Sequence, residues 1–212
     1  MAAATDWHDW HLPYNDHTSP LSRRLRLVQR HINDWLDRRS DSSLRVVSVC
    51  AGQGRDLIGV LASRPDADRV RAELIEYDPR NVAAARMGIA AAKLTGLTAT
   101  EADAGDFTAY RTAVPADLVV LAGVLGNISD EDVRATIDAL PRLCAPDATV
   151  IWTRTRRDPD LTPAIRRWFA AAGFAEEAFH APSDVLFSVG VHRFHGQPQQ
   201  APPSGRIFTF AR

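Results

Sequence analysis

The alternation of short apolar runs with longer helical patterns is the feature that most restricts the fold of this chain. Apolar and β-branched residues predict strands at 46–50, 72–76, 97–102, 117–122 and 149–153. Helical stretches lie between them or follow them, including an Ala-rich one at 79–95 and another at 163–172. Strands that alternate with helices of this length imply βαβ units and a parallel sheet. Helices cover both faces of such a sheet, which agrees with strands that are continuously apolar.

The last part of the chain departs from this alternation. Two further strands are predicted at 185–192 and 207–210, and a loop rich in Gly, Pro and Gln joins them without a helix. A connection of this kind favours an antiparallel edge strand. The predicted fold is therefore α/β, a Rossmann-like three-layer sandwich around a mostly parallel seven-stranded sheet with an antiparallel last strand.

The first 43 residues predict an amino-terminal cap. Residues 1–18 are rich in Trp and His without periodicity, and Ser19 and Pro20 then provide an N-cap and a first helical residue. Apolar residues follow at steps of three and four, while the other face carries several Arg, interpreted as solvated surface. We expect a cap or lid segment and a helix over 1–43, and the main domain over 44–212.

Composition and charge exclude several classes of protein. The 212 residues carry a formal net charge of −1, which removes any general electrostatic attraction to nucleic acid or anionic membrane. No apolar run approaches the roughly 20 residues of a membrane span, and the first residues lack the pattern of a signal peptide. Cys50 and Cys144 lie in apolar stretches, which indicates buried thiols. We therefore expect a cytoplasmic protein without a nucleic-acid or membrane partner.

The residues directly after the predicted strands are the candidates for a ligand site, because ligands bind at the carboxyl ends of such strands. Two glycines, Gly52 and Gly54, follow the first strand and allow close approach of a ligand to the backbone. Glu76 ends the second strand 24 residues beyond Gly52, where a carboxylate can accept both hydroxyls of a ribose. Asp103 follows the third strand and can read an adenine edge. The alternative is that these residues only form turns and cap helices, and bind no ligand.

Together these residues resemble the motifs of class I S-adenosylmethionine-dependent methyltransferases, and the resemblance extends over about residues 45–210. Segments 46–54, 74–79, 102–104 and 117–125 fall on the family's first, ribose-binding, adenine-contacting and fourth-strand motifs. The amino-acid sequence of segment 50–56 is similar to that of bacterial members of this family, in particular actinobacterial ones. The resemblance implies S-adenosylmethionine as cofactor and these cofactor-binding residues: Ala51, Gly52, Gly54, Arg55, Glu76, Tyr77, Asp103, Ala104, Ala122 and Gly123.

Two positions depart from the family pattern, and one position argues against a rival cofactor. The family usually has an acid where this chain has Ser48, and a glycine where it has Cys50. A nicotinamide dinucleotide is the rival, but its fingerprint needs a third glycine where Leu57 stands. Since S-adenosylmethionine has no pyrophosphate, it does not require that glycine.

Comparison with particular types of methyltransferase leaves the acceptor open. The segment 124–128 lacks the His base of a widespread type of small-molecule O-methyltransferase. The fourth strand also lacks the Asn/Asp-Pro-Pro-aromatic motif of base-methylating enzymes. Thr155 and Arg156 stand where metal-assisted enzymes have an Asp-Asn pair, so no metal site is predicted.

Seven residues are candidates for the acceptor side. His192 and His195 would lie on the ligand side if the sixth strand runs parallel to the first five. Alternatives stay open, since the cap can simply pack, the Arg residues can pair with Asp158 or Asp160, and Asn127 can cap a helix. The catalytic candidates are His11, Tyr14 and His192, and the substrate-binding candidates are Asn127, Arg154, Arg156 and His195.

The predicted function is methyl transfer from S-adenosylmethionine to an oxygen or nitrogen of a small-molecule acceptor, by a monomer or homodimer. The alternative is an RNA or protein methyltransferase. A protein that binds S-adenosylmethionine for other chemistry, or without catalysis, also stays open.

Overall fold

A computed structural model describes Asp6, residues 9–202 and residues 204–210, without the side chains of residues 9–11. Seven strands form one sheet: β1 Leu44–Val49, β2 Val70–Glu76, β3 Leu97–Glu101, β4 Ala116–Leu121, β5 Cys144–Thr155, β6 Phe174–His180 and β7 Phe187–Phe194. The α-helices are α1 Pro20–Asp37, α2 Arg55–Leu61, α3 Pro79–Ala91, α4 Asp130–Ala139 and α5 Thr162–Ala171. Short 3-10 helices span Asp9–Asn15, Ala67–Arg69, Phe107–Tyr110 and Leu140–Arg142.

The strand order of the sheet is β3-β2-β1-β4-β5-β7-β6. The first six strands run parallel to one another, and β7 runs antiparallel between β5 and β6. The order reverses between β1 and β4, and a doubly wound sheet binds its ligands at such a switch point. The prediction of a mostly parallel seven-stranded sheet with an antiparallel last strand is confirmed.

Helices cover both faces of the sheet and create two hydrophobic cores. On one face α1, α2 and α3 pack their apolar side chains, including Val28 and Ile32, against the sheet. On the other face α4 and α5 contribute Ile137 and Phe169 to a core that includes Trp152. The helix α1 from the predicted cap thus shares a core with the strands.

Local sequence signals at the helix starts agree with the structure. The hydroxyl of Ser19 accepts the backbone N–H of Ser22 at 3.1 Å, so Ser19 caps α1 as predicted. Ser129 likewise caps α4 by accepting the N–H of Asp132 at 3.0 Å. Such caps satisfy backbone donors that have no partner inside the helix.

The predictions for the carboxyl-terminal region are partly wrong. β6 was not predicted, because its central residues are exposed and it lacks a continuous apolar run. The stretch 207–210 is not a strand; the only pairing described near it is an isolated bridge between Asp106 and Arg206. Among the described residues, no helix is both long and apolar enough to cross a membrane.

Candidate functional site

A cavity of about 370 Å³ lies at the carboxyl ends of the central strands. Loops after β1, β2, β3 and β4 form its floor, and α1 forms one wall. The structure brings most of the predicted site residues to this cavity. Those that line it are Tyr14, Ala51, Gly52, Arg55, Glu76, Tyr77, Asp103, Ala104, Ala122, Gly123 and Asn127.

The glycine loop after β1 turns sharply through left-handed backbone conformations. Cys50, Gly52 and Gly54 have φ angles of 50°, 57° and 69°. The φ of Gly54 favours glycine, and an added Cβ would also lie 2.4 Å from Cδ2 of Leu74, so that buried side chain would have to move. Cys50 adopts the left-handed conformation without being glycine, which is uncommon for a residue with a side chain. The turn brings the backbone at residues 51–52 to the cavity.

Two backbone hydrogen bonds hold the carboxylate of Glu76 in the cavity. Its Oε2 accepts the backbone N–H of Gly52 at 2.7 Å, and its Oε1 accepts the N–H of Asp78 at 2.8 Å. The residue is 8% exposed, and burial raises the pKa of its carboxyl group, although the backbone hydrogen bonds oppose that shift. Both oxygens keep lone pairs for further donors. The carboxylate is therefore positioned to accept paired hydroxyl groups from a ligand.

Asp103 lines the cavity after β3 but already has two partners. Its Oδ1 accepts the backbone N–H of Gly105 at 2.9 Å, and its Oδ2 pairs with Nη1 of Arg206 at 2.7 Å. Arg206, Phe208, Thr209 and Phe210 also line the cavity. Sequence reasoning missed these four residues, because the apolar pattern at 207–210 predicted a strand.

The amino-terminal wall of the cavity centres on Tyr14. Nη2 of Arg24 donates to the Tyr14 hydroxyl at 3.1 Å, and the Arg55 guanidinium lies 5.3 Å from the centre of the Tyr14 ring. Asp56 also lines the cavity, and burial raises the pKa of its carboxyl group. The sequence analysis did not predict Arg24 or Asp56 as site residues. The signals that could have indicated them were the Arg-rich face of α1 and the acidic residue that follows the glycine loop. The side chain of His11 lies outside the described residues.

Asn127 lies on the β4 side of the cavity with its amide held in place. Its Nδ2 donates to the carbonyl of Gly123 at 2.7 Å, and the N–H of Gly123 donates to Oγ1 of Thr153 at 2.8 Å. This chain of hydrogen bonds orients the side-chain amide of Asn127.

His192 and His195 do not lie on the ligand side, because the condition for that placement, a strand parallel to the first five, is not met. Because β7 is antiparallel to β5, His192 pairs with Val150 towards the amino-terminal end of β5, away from the cavity. His195 follows further in that direction. His192 is 1% exposed, and Nε1 of Trp152 donates to its Nδ1 at 3.1 Å. Since an indole N–H only donates, the neutral ring carries its proton on Nε2, which lies 3.6 Å from Oε2 of Glu176. Burial lowers the pKa of His192 to about 4.

Arg154 and Arg156 follow the predicted strand, but neither is among the described residues that line the cavity. Arg154 donates to the carbonyl of Leu125 and pairs with Oδ1 of Asp130 at 2.9 Å. Arg156 donates to carbonyl oxygens of the loop between β6 and β7. Neither forms the alternative pair with Asp158 or Asp160 among the ion pairs of the described residues. Both side chains instead fasten loops to the end of the sheet.

The residues described by the structure include no group of three or more His, Cys, Asp or Glu that could hold a metal ion. Fold and cavity thus define a Rossmann-like α/β protein with a carboxylate and a glycine loop at the switch point of the sheet. A family model described as "Putative methyltransferase" matches residues 22–170. The chain belongs to this methyltransferase family. A search of curated protein sequences gives no match.

Solved structures of methyltransferases share the fold. An O-methyltransferase family protein from Burkholderia thailandensis is 19% identical with a TM-score of 0.62, over 84% of this chain and 59% of that chain. Magnesium protoporphyrin IX methyltransferase from Synechocystis PCC 6803, with bound SAM, is 15% identical with a TM-score of 0.64, over 92% and 100%. A 1,6-didemethyltoxoflavin-N1-methyltransferase from B. thailandensis, with bound S-adenosylhomocysteine, is 15% identical with a TM-score of 0.66, over 90% and 84%. The chain spans less than two thirds of the first of these proteins.

Proposed function

We propose that this protein transfers a methyl group from S-adenosylmethionine to an oxygen or nitrogen of a small-molecule acceptor. The observation that carries the proposal is the buried carboxylate of Glu76, which holds the N–H of Gly52 while it lines a cavity at the switch point. A ribose has two neighbouring hydroxyl groups, and such a carboxylate can accept a hydrogen bond from each of them. Membership of the methyltransferase family gives the nucleoside-containing donor as S-adenosylmethionine.

The residues present fit this donor. Glu76 would hold the ribose hydroxyls, and Tyr77, Asp103 and Ala104 would surround the adenine. The backbone of the glycine loop and the residues after β4 would hold the methionine part. A cavity of about 370 Å³ is within the range of small-molecule sites. The residues proposed to contact the donor are Ala51, Gly52, Arg55, Glu76, Tyr77, Asp103, Ala104, Ala122 and Gly123. Gly54 is not among the described residues that line the cavity, and its proposed role is to shape the loop.

The acceptor is proposed to lie between the amino-terminal wall and the loop after β4. Tyr14 and Asn127 lie at these two places, and both side chains are oriented by hydrogen bonds. The magnesium protoporphyrin and didemethyltoxoflavin enzymes among the similar structures are named for small-molecule acceptors.

The chemistry needs alignment more than a protein base. When bound, S-adenosylmethionine would supply a sulfonium methyl group for transfer to an acceptor lone pair, with S-adenosylhomocysteine as the leaving group. No His is among the cavity-lining residues whose side chains are described. The proposed contribution of Tyr14 and Asn127 is to hold the acceptor in line with the methyl group, since hydrogen bonds orient both side chains. Alignment of this kind lowers a barrier by about 7–11 kcal/mol in favourable cases.

Calorimetric titration of the purified protein tests the proposal. S-adenosylmethionine and S-adenosylhomocysteine should both bind with micromolar affinity, and NADH should not bind. Binding of NADH alone would return the chain to the dinucleotide-binding alternative. Absence of binding by all three would refute a functional donor site. A positive result justifies a screen of amine, hydroxyl and carboxylate acceptors, with Tyr14→Phe and Asn127→Ala as variants.

A further inference from the structure

The carboxyl-terminal segment, residues 205–210, crosses the edge of the cavity from the end of β3 to the start of α4. The backbone N–H of Ile207 donates to the carbonyl of Gly105 at 2.7 Å. Two residues later, the N–H of Thr209 donates to Oδ2 of Asp132 at 3.0 Å. The segment is therefore fixed both to the loop after β3 and to the first turn of α4. It lies outside the residues that the family model matches.

Close packing fixes the position of the segment. Ile207 and Phe208 are 5% and 1% exposed and belong to the core beneath α4 and α5. A Cβ on Gly105 would lie 2.2 Å from the carbonyl oxygen of Phe208 and 2.8 Å from Nη1 of Arg206. Only glycine at position 105 allows the segment to approach this closely.

Arg206 presents a charged group beside Asp103 at the rim of the cavity. The two side chains are 2.7 Å apart and are 50% and 40% exposed. A guanidinium has five donor hydrogens and a carboxylate about four acceptor positions, so the pair keeps unused donors and acceptors. An adenine edge offers the complement, since its amino group donates beside a ring nitrogen that accepts.

We propose that Arg206 is a determinant of donor affinity at the adenine end of the cavity, where it acts together with Asp103. This inference rests on the proposed function, because it places the adenine of the donor next to Asp103. Arg206 donates to a ring nitrogen of the adenine while Asp103 accepts from its amino group. The carboxyl-terminal segment is thus part of the donor site and holds Arg206 in place.

The test measures binding of two ligands to the Arg206→Ala variant. S-adenosylhomocysteine contains the adenine, the ribose and the amino-acid part, and 5′-methylthioadenosine lacks the amino-acid part. Loss of one charge-assisted hydrogen bond should weaken binding of both ligands by the same factor, about tenfold. Unfolding by heat should be nearly unchanged, because an exposed ion pair contributes little stability.

Arg193→Ala is the matched control. Arg193 pairs with Asp147 at 3.3 Å and is 43% exposed, but it lies towards the opposite edge of the sheet. The control should bind both ligands as the wild type does. Gly105→Ala is a second variant that displaces the segment while it keeps Arg206, and it should also weaken binding of both ligands. It provides a result even if the Arg206→Ala variant does not fold.

Two results would overturn the proposal about Arg206. One is wild-type affinity of Arg206→Ala or Gly105→Ala for both ligands. The other is a loss of affinity for S-adenosylhomocysteine that 5′-methylthioadenosine does not share, since Arg206 would then act at the methionine end. If the wild-type protein binds neither ligand, the proposed function itself fails, and that outcome is distinct from both.

Discussion

Replacement of Glu76 by Gln tests the centre of the proposed donor site. The two side chains have nearly the same shape, so the change removes the charge without creating a cavity. The carboxylate accepts one backbone N–H at each oxygen, from Gly52 and from Asp78. Whichever way a Gln amide is turned, its NH₂ group meets one of these two N–H donors. The variant therefore loses one acceptor as well as the charge.

The expected size of the effect follows from these contacts. A hydrogen bond to a charged group contributes about 1.5–3 kcal/mol, so loss of one such bond to a ribose hydroxyl corresponds to about 10- to 150-fold weaker binding. Folding should change less, within about 1 kcal/mol, because two effects oppose each other. The lost backbone hydrogen bond destabilises the fold, whereas removal of a buried charge, whose pKa is raised by burial, stabilises it.

The assay is calorimetric titration with S-adenosylhomocysteine and 5′-methylthioadenosine, both of which contain the ribose. Glu76→Gln should weaken both ligands by the same factor. Glu101→Gln is the matched control. Glu101 lies opposite Glu76 in the backbone register of the neighbouring strand, but it is exposed and is not among the described residues that line the cavity. If Glu76→Gln binds both ligands as tightly as the wild type and the control, Glu76 does not hold a ribose.

Three further results are expected. Gly54→Ala should lower the free energy of unfolding by about 1–3 kcal/mol, measured by urea denaturation, because its Cβ would meet Leu74 and its φ is left-handed; an unchanged midpoint would contradict this reading of the turn. The folded-state pKa of His192 is about 4, below its ordinary 6.5, so the unfolded chain binds more protons between these values. Stability due to His192 should therefore fall by up to about 3 kcal/mol as the pH drops from 6.5 to 4. In His192→Asn, which keeps an acceptor for Trp152, the pH dependence should be weaker by that amount, and an identical slope would refute it. Affinity for S-adenosylhomocysteine should fall as acid protonates Glu76, because ribose hydroxyls bind the charged carboxylate more strongly. Since burial raises the pKa of Glu76, the fall should begin above the ordinary pKa of 4.5. Glu76→Gln should show no such fall, and a pH dependence shared by both proteins would contradict the assignment of Glu76 to the ribose.

The parts of the site that follow from local sequence were predictable. Glu76 ends an apolar strand, Gly52 and Asp103 follow such strands closely, and parallel strands bring their carboxyl ends to one edge of the sheet. The chain order of these residues therefore sufficed to place them together. Ser19 and Ser129 were likewise predictable as caps, because a helix start depends on a few neighbouring residues.

Features that depend on distant pairing were not predictable in this way. An apolar strand has the same pattern in either direction, so the sequence around His192 did not reveal that β7 is antiparallel. The same ambiguity affected residues 207–210, whose apolar side chains pack into the core without joining the sheet. Arg206 was missed for the same reason, since only the docking of this segment on Gly105 brings it to Asp103.

The cavity walls come from opposite ends of the chain, Tyr14 on one side and Phe208 on the other. A ligand in this cavity therefore bridges the first and last parts of the sequence, and its binding energy adds to the cooperativity of the whole fold. At 100 times its dissociation constant, a ligand specific for the folded state adds about 2.7 kcal/mol to the free energy of unfolding. Partial opening at either end would release the ligand before the sheet unfolds. Donor binding is thus expected to slow proteolysis of the segments around Tyr14 and Phe208.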